Sequence, residues 1–145
     1  MHELDWAIAE SQLKTPFGYA RFRIDGYQIT VRRQLDSKDH LDFVVYVNGE
    51  IRGAWFFDSH YEHLMKFYRR SERPLFTKKT IESLLKGYTK KEQQEKIERL
   101  GLDKTYTRYF PSFKTFKDLK KSFIANNQSI ELLETSAYSL DIVKS

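Results

Sequence analysis

Tyr19-Ala20-Arg21-Phe22-Arg23-Ile24-Asp25-Gly26-Tyr27-Gln28-Ile29-Thr30-Val31-Arg32-Arg33-Gln34-Leu35 alternates apolar and polar side chains on either side of an Asp-Gly pair. Successive side chains of an extended chain point to opposite faces. Phe22, Ile24, Ile29 and Val31 therefore share one face, and Arg21, Arg23, Thr30 and Arg32 share the other. Asp-Gly accepts the positive φ values of a type I′ turn, whose twist matches that of two paired strands. The segment predicts a tight hairpin of strands 19–24 and 27–35. Residues 41–47 and 50–57 flank Asn48-Gly49 in the same way and predict a second hairpin, joined to the first by the polar run Asp36-Ser37-Lys38-Asp39-His40. In this second pair Phe43, Val45, Val47, Trp55 and Phe57 oppose Val44, Tyr46, Ala54 and Phe56, which predicts partial cover on both faces. The expectation is a four-stranded antiparallel meander. Helices pack on one of its faces, and the segment around Trp6-Ala7-Ile8 touches the other.

Helical signals follow. Ser59-His60-Tyr61-Glu62 has capping-box spacing and predicts a helix that ends before Arg73-Pro74, with Tyr61, Leu64, Met65 and Tyr68 as its apolar stripe. A second helix is predicted over 77–86, with Ile81, Leu84 and Leu85 inward, Lys78, Lys79 and Lys86 outward, and Gly87 as its stop. Thr89-Lys90-Lys91-Glu92 is another capping box and opens a third helix to Leu100, after which Gly101 suits the left-handed conformation that closes a helix. A fourth runs from 112 to 126, where Phe113, Phe116, Leu119, Phe123 and Ile124 recur at helical spacing apart from a Lys114, Lys117, Lys121 stripe. Residues 129–133 predict a short C-terminal strand. The fold class is α+β, a meander followed by about four helices. It reads as a single domain over 1–145, with an acidic β-rich part (1–58) and a basic helical part (59–145).

Composition narrows the function classes. At 145 residues and 17.4 kDa the chain can bury roughly 70% of its extended surface. It has no cysteine, which excludes disulfides, thiolate catalysis and Cys-ligated metals. Met1-His2-Glu3-Leu4-Asp5 lacks the cationic start of a secretory leader, and no apolar run approaches the roughly 18 residues of a membrane span. The expectation is a cytoplasmic protein without a membrane partner. Charge is uneven: residues 1–60 carry 7 Lys/Arg against 9 Asp/Glu, residues 61–125 carry 17 against 8, and residues 126–145 carry 1 against 3, within a formal total of +5. A cationic block of that density points to a polyanion or an acidic protein surface.

The candidate binding residues fall into four groups. Arg69 and Arg70 cluster near a predicted helix end. Lys90 and Lys91 head the third helix, which with the second has helix–turn–helix length and would present Gln93, Gln94, Lys96 and Arg99 to a groove, although Glu92, Glu95 and Glu98 interrupt its field. Lys104, Tyr106, Arg108 and Tyr109 mix cations with rings. Lys114, Lys117, Lys120 and Lys121 complete the set: the lysines would meet phosphates, Arg108 would bridge phosphate and base, and Tyr106 or Tyr109 would stack. Arg21, Arg23 and Arg32 form a further patch on the first hairpin, weakened by Asp25 and Asp36. The one local acid–base or metal grouping is Asp58, His60, Glu62 and His63, without a His-Glu-x-x-His motif and with Glu62 already used as a cap. No glycine-rich phosphate loop or Gly-x-Ser-x-Gly nucleophile context is present.

Small, aromatic, basic and free of catalytic signatures, the chain resembles short phage accessory proteins in texture, which implies a binding or inhibitory role without fixing that role on particular residues. The expectation is a non-catalytic, cofactor-free and metal-free binding protein whose basic helical face engages nucleic acid through phosphates. The runner-up is an inhibitor or adaptor docking on an acidic protein, and a small metal-dependent or acid–base enzyme is third. Monomer and homodimer fit equally.

Overall fold

The computed structural model describes residues 1–36, 38–136 and, as backbone, 138–139. The protein has an α+β fold built on an antiparallel sheet. In chain order the elements are α1 (Glu3–Leu13), β1 (Tyr19–Ile24), β2 (Tyr27–Leu35), β3 (Leu41–Val47), 3₁₀ turns at Gly53–Phe56 and Ser59–Phe67, β4 (Arg69–Pro74), α2 (Lys78–Leu85), α3 (Lys90–Leu100), β5 (Thr105–Phe110), β6 (Ser112–Phe113), α4 (Phe116–Asn126), β7 (Ile130–Thr135) and β8 (Tyr138–Ser139). Contacts divide the chain into two compact units, Met1–Arg69 with Tyr109–Ser145, and Arg70–Arg108. Among the described residues no helix is long and apolar enough to cross a membrane.

The first unit holds a six-stranded sheet in the order β6-β3-β2-β1-β7-β8. Its first three strands have the bounds that alternation predicts. Asp25 and Gly26 both take positive φ (48° and 87°), as do Asn48 and Gly49 (50° and 81°), so both type I′ turns form. Ala20, Phe22, Ile24, Ile29, Val31, Phe43, Val45 and Val47 point into one core. Trp6 of α1 meets Phe22 at 6.0 Å, and Phe123 of α4 meets Phe22 at 6.1 Å and Phe113 at 6.2 Å, so both helices cover the same face of the sheet. The N-terminal segment is thus α1 on the core face, not a cover for the other face. Its buried Trp6, Ala9 and Leu13 have helical spacing, and Glu3 and Asp5 suit the positive end of the helix dipole.

The meander stops at three strands. After the Asn48-Gly49 turn the returning chain makes one bridge, Val47 to Glu50, then coils into the turn at Gly53–Phe56. Residues 50–57 lack the alternation that fits a strand to one core, and β6 takes the edge of β3, pairing Phe43 with Phe113 and Val44 with Ser112. The helix expected from 59 is a run of 3₁₀ turns capped by Asp58 rather than Ser59, and the residues expected at its end, Arg69 to Pro74, are extended as β4. The fourth helix starts late, at Phe116 with Thr115 as its cap, because Ser112 and Phe113 belong to the sheet. The strand expected at 129–133 is β7, paired with β1. Helices and strands therefore intermix in both halves of the sequence.

β7 carries a bulge opposite the step from Arg21 to Phe22. Leu132 faces Phe22 and Thr135 faces Ala20 on the core side, and the extra residue moves Glu134 to the outer face opposite Arg21. A regular ladder would aim the Glu134 carboxylate into the core. At the other end of β1, Gly18 is required by close approach: a Cβ there would overlap the Gln12 carbonyl oxygen and lie 2.6 Å from Thr15 Oγ1. Gly18→Ala is expected to cost about 1–3 kcal/mol by forcing the α1–β1 connection apart, read as a lower urea midpoint at unchanged slope.

In the second unit, β4 and β5 form a two-stranded ribbon, closed by the Leu75 N–H donating to the Lys104 carbonyl at 2.9 Å. Glu72 accepts from Thr107 Oγ1 (2.8 Å), Thr105 Oγ1 (3.3 Å) and Arg70. The two predicted helices sit between these strands. Thr77 and Thr89 cap them, the Thr89–Glu92 capping box is complete, and Gly101 at φ 65° lets the Leu102 N–H donate to the Ile97 carbonyl.

Candidate functional site

The candidate cations divide between the two units and differ in what they touch. Arg69 donates from Nε to the Ser112 carbonyl (3.0 Å) and lies over the Phe110 ring at 4.4 Å, a role inside the first unit. Lys114 reaches the buried Asp42 carboxylate at 2.9 Å and Asp36 at 3.4 Å, and the Asp42 hydrogen bond, followed by that to Asp36, holds its ammonium above the ordinary range. Lys120 pairs with Glu3 at 2.9 Å over the Trp6 ring. Lys117 and Lys121 are exposed on α4, and Tyr109 packs against the core. The Lys114-to-Lys121 stripe is thus interrupted by internal partners.

Two of the hairpin arginines are also paired, by residues the sequence leaves distant. Arg21 pairs with Glu134, and Arg23 lies 3.8 Å from Glu131, both on β7. Arg32 lies over Tyr19 at 5.3 Å. Asp25 and Asp36, the expected quenchers, act elsewhere. Asp25 accepts from Lys66 Nζ (2.9 Å) and from the Ser129 and Gln128 amides (2.8 and 3.3 Å). Asp36 accepts from the His40 and Lys38 amides (2.9 and 2.7 Å).

These bonds lower both carboxyls from their ordinary value of 3.8, Asp25 chiefly through Lys66 and Asp36 chiefly through the His40 amide. A carboxyl depressed in the folded state stabilises the fold above its unfolded value, and that contribution vanishes as pH falls through the folded value. Stability is therefore expected to hold from neutrality to about pH 4 and to decline below it. Denaturation midpoints between pH 7 and pH 2.5 should show the decline, less steep in Asp25→Asn.

The second unit carries eleven Lys/Arg against six Asp/Glu, a formal +5, so the first unit is neutral over the whole sequence and the second holds the entire net charge. Arg70 pairs with Glu72 at 3.0 Å. Among the described residues no carboxylate lies within ion-pair distance of Lys78, Lys79, Lys86, Lys90, Lys91 or Lys104. Tyr106 is 45% exposed on β5 beside Arg108. The residues expected to read a groove are largely engaged within the unit. Gln93 Nε2 donates to the Leu85 and Tyr88 carbonyls, Lys96 Nζ donates to the Leu84 carbonyl and lies 4.0 Å from the Tyr88 ring centroid, and Gln94 bonds Glu98. These contacts cap the end of α2 and lock the helix pair instead.

Comparison with family models, curated proteins and solved structures finds no match.

Lys78 and Lys79 are the cations the candidate set missed. Both helices open alike, Thr77-Lys78-Lys79 and Thr89-Lys90-Lys91, placing lysine pairs at the first two helical positions. A helix N-terminus carries partial positive charge, so each lysine there opposes the dipole by about 0.3–1 kcal/mol. The first turn of α2 contains no acid to offset this. The repeated Thr-Lys-Lys was visible in the sequence, and the sign of its charge against the dipole was the signal.

The acid–base grouping does not assemble as a metal centre. The Asp58 carboxylate accepts the His60 N–H at 3.0 Å, and among the described residues no group of three or more His, Cys, Asp or Glu is placed to hold a metal.

Proposed function

We propose that the protein is a cytoplasmic, non-catalytic nucleic-acid-binding protein that uses the Arg70–Arg108 unit to contact phosphates. The observation that carries this reading is the confinement of the whole +5 formal charge to that unit, with two lysine pairs at helix N-termini that have no carboxylate within ion-pair distance among the described residues. Backbone amides and ammonium groups converge at such a helix start, and a phosphate oxygen is stabilised by both. Arg108 and the exposed Tyr106 add a cation and a ring for an unpaired base. Phosphate contact of this kind reads charge rather than sequence.

A titration of affinity against salt tests it. On single-stranded and duplex nucleic acid, log affinity should fall linearly with log salt, with a slope of about −0.7 to −0.9 per phosphate neutralised. Undetectable affinity at low salt, or affinity that ignores a tenfold rise in salt, would dismiss the proposal.

One observation favours an acidic protein as the second reading. The same unit exposes Leu75, Leu84 and Leu100, aliphatic groups that suit a protein interface better than a phosphate backbone. A stoichiometric partner that survives nuclease treatment and is lost on reversing the lysine pairs would favour this reading.

A further inference from the structure

The first unit contains a depression of ≈ 430 Å³ between the start of β2, the end of β3 and the 3₁₀ turns, within the size range of small-ligand sites. Its lining is chemically selective. Tyr27, Trp55 and Tyr61 supply aromatic surface, with the Trp55 and Tyr61 ring centroids 6.4 Å apart and tilted by 42°. Arg52, His60 and His63 supply N–H donors, and the His60 ring is set edge-on to Tyr61 at 5.2 Å.

Two neighbours orient these groups. Glu50 takes the Arg52 Nη2 at 3.2 Å, and among the described residues the Nε and Nη1 hydrogens of that guanidinium have no partner. Asn48 accepts the Gln28 amide at 3.0 Å through Oδ1, which leaves its side-chain NH₂ as a donor in the lining. The site therefore combines flat π-surface, an amide donor suited to a ring nitrogen or carbonyl, and a guanidinium with two imidazoles suited to a compact anion. A heteroaromatic ring joined to a phosphate matches all three.

We propose that this depression binds a nucleoside monophosphate unit, with the base against Trp55, Tyr27 and Tyr61 and the phosphate on Arg52, His60 and His63. The site's lining belongs wholly to the first unit and stands on its own geometry. The unit is supplied either as a free nucleotide or as the phosphorylated end of a strand.

Isothermal titration of the full chain separates these sources. The probes are AMP, CMP, GMP and UMP, the matching nucleosides, inorganic phosphate, and short RNA oligonucleotides with and without a terminal phosphate. At least one phosphorylated probe should saturate with Kd below about 1 mM and bind roughly tenfold or more tighter than its unphosphorylated counterpart, the scale of a charge-assisted hydrogen bond. Saturation by mononucleotides makes the free nucleotide a sufficient ligand, and saturation by phosphorylated oligonucleotides alone assigns a strand end. Arg52→Gln and His63→Gln should each weaken binding roughly tenfold; both side chains are exposed, so an unaltered thermal melt is expected. No saturable binding of any phosphorylated probe overturns the proposal, as does full affinity in the double variant. Reversing Lys78, Lys79, Lys90 and Lys91 should leave this binding intact, so failure here is distinct from failure of phosphate contact on the second unit.

Discussion

Phe22→Ala is expected to destabilise the fold by about 3–5 kcal/mol, a large share of the roughly 5–15 kcal/mol that holds a domain of this size. Phe22 is fully buried on β1, between β2 and β7, and its ring meets Trp6 of α1 and Phe123 of α4. Truncation removes apolar surface that both helices share with the sheet and two ring contacts, one tilted with Trp6 and one edge-on with Phe123, each worth about 0.5–1.5 kcal/mol beyond area. The hole cannot close readily, because β1 is held by ladders on both sides. Urea denaturation followed by circular dichroism measures the loss. Arg23→Ala, exposed on the outer face of the same strand, should change stability by less than about 1 kcal/mol. Equal effects from the two substitutions would mean that the core lies elsewhere.

Joint reversal of Lys78, Lys79, Lys90 and Lys91 to glutamate has the largest expected functional effect. Four phosphate contacts on a single strand contribute about 3 to the log–log salt slope, so the slope should become shallower by about that amount, with a loss of affinity at low salt of roughly 100-fold or more. Stability should move the other way. Acids at a helix start are favourable by about 0.3–1 kcal/mol each, so the variant should melt no lower than the native protein. Loss of binding together with a retained or raised melting temperature separates a functional role for these lysines from a structural one. Reversal of Lys117 and Lys121 on α4 is the matching control, and unchanged affinity and slope in the fourfold variant would remove the two helix starts from the interface.

How far the sequence was legible follows from the range of the forces involved. Strands 19–24, 27–35 and 41–47, both type I′ turns and the helices at 78–85 and 90–100 were legible because alternation, Asp-Gly, Asn-Gly, helical periodicity and the Thr89–Glu92 capping box act within a few residues. The fourth strand failed because its place beside β3 was taken by Ser112 and Phe113, about sixty residues onward, and no local signal reports such competition. The same distance hid the fate of the cations. Lys114 reads as a member of a free stripe until Asp42 and Asp36 are brought to it, and Arg21 and Arg23 look unpaired until β7 delivers Glu134 and Glu131. Glu134 arrives only through the bulge. Charge density in the sequence located a basic block, but pairing across the fold decided which of its members face outward unopposed. The emphasis therefore shifts from the Lys114-to-Lys121 stripe to the helix starts, where Lys78 and Lys79 join the candidates Lys90 and Lys91.

The second unit begins on β4 and ends on β5, its hydrogen-bonded neighbour. Its two ends emerge side by side, and the closure cost of what lies between them grows only with the logarithm of length, about 0.6 kcal/mol per doubling. A short turn in its place would therefore preserve the connectivity of the six-stranded sheet. The arrangement makes Arg70–Arg108 a cassette, open to shortening, exchange or transplantation onto another protein's hairpin without rethreading the host.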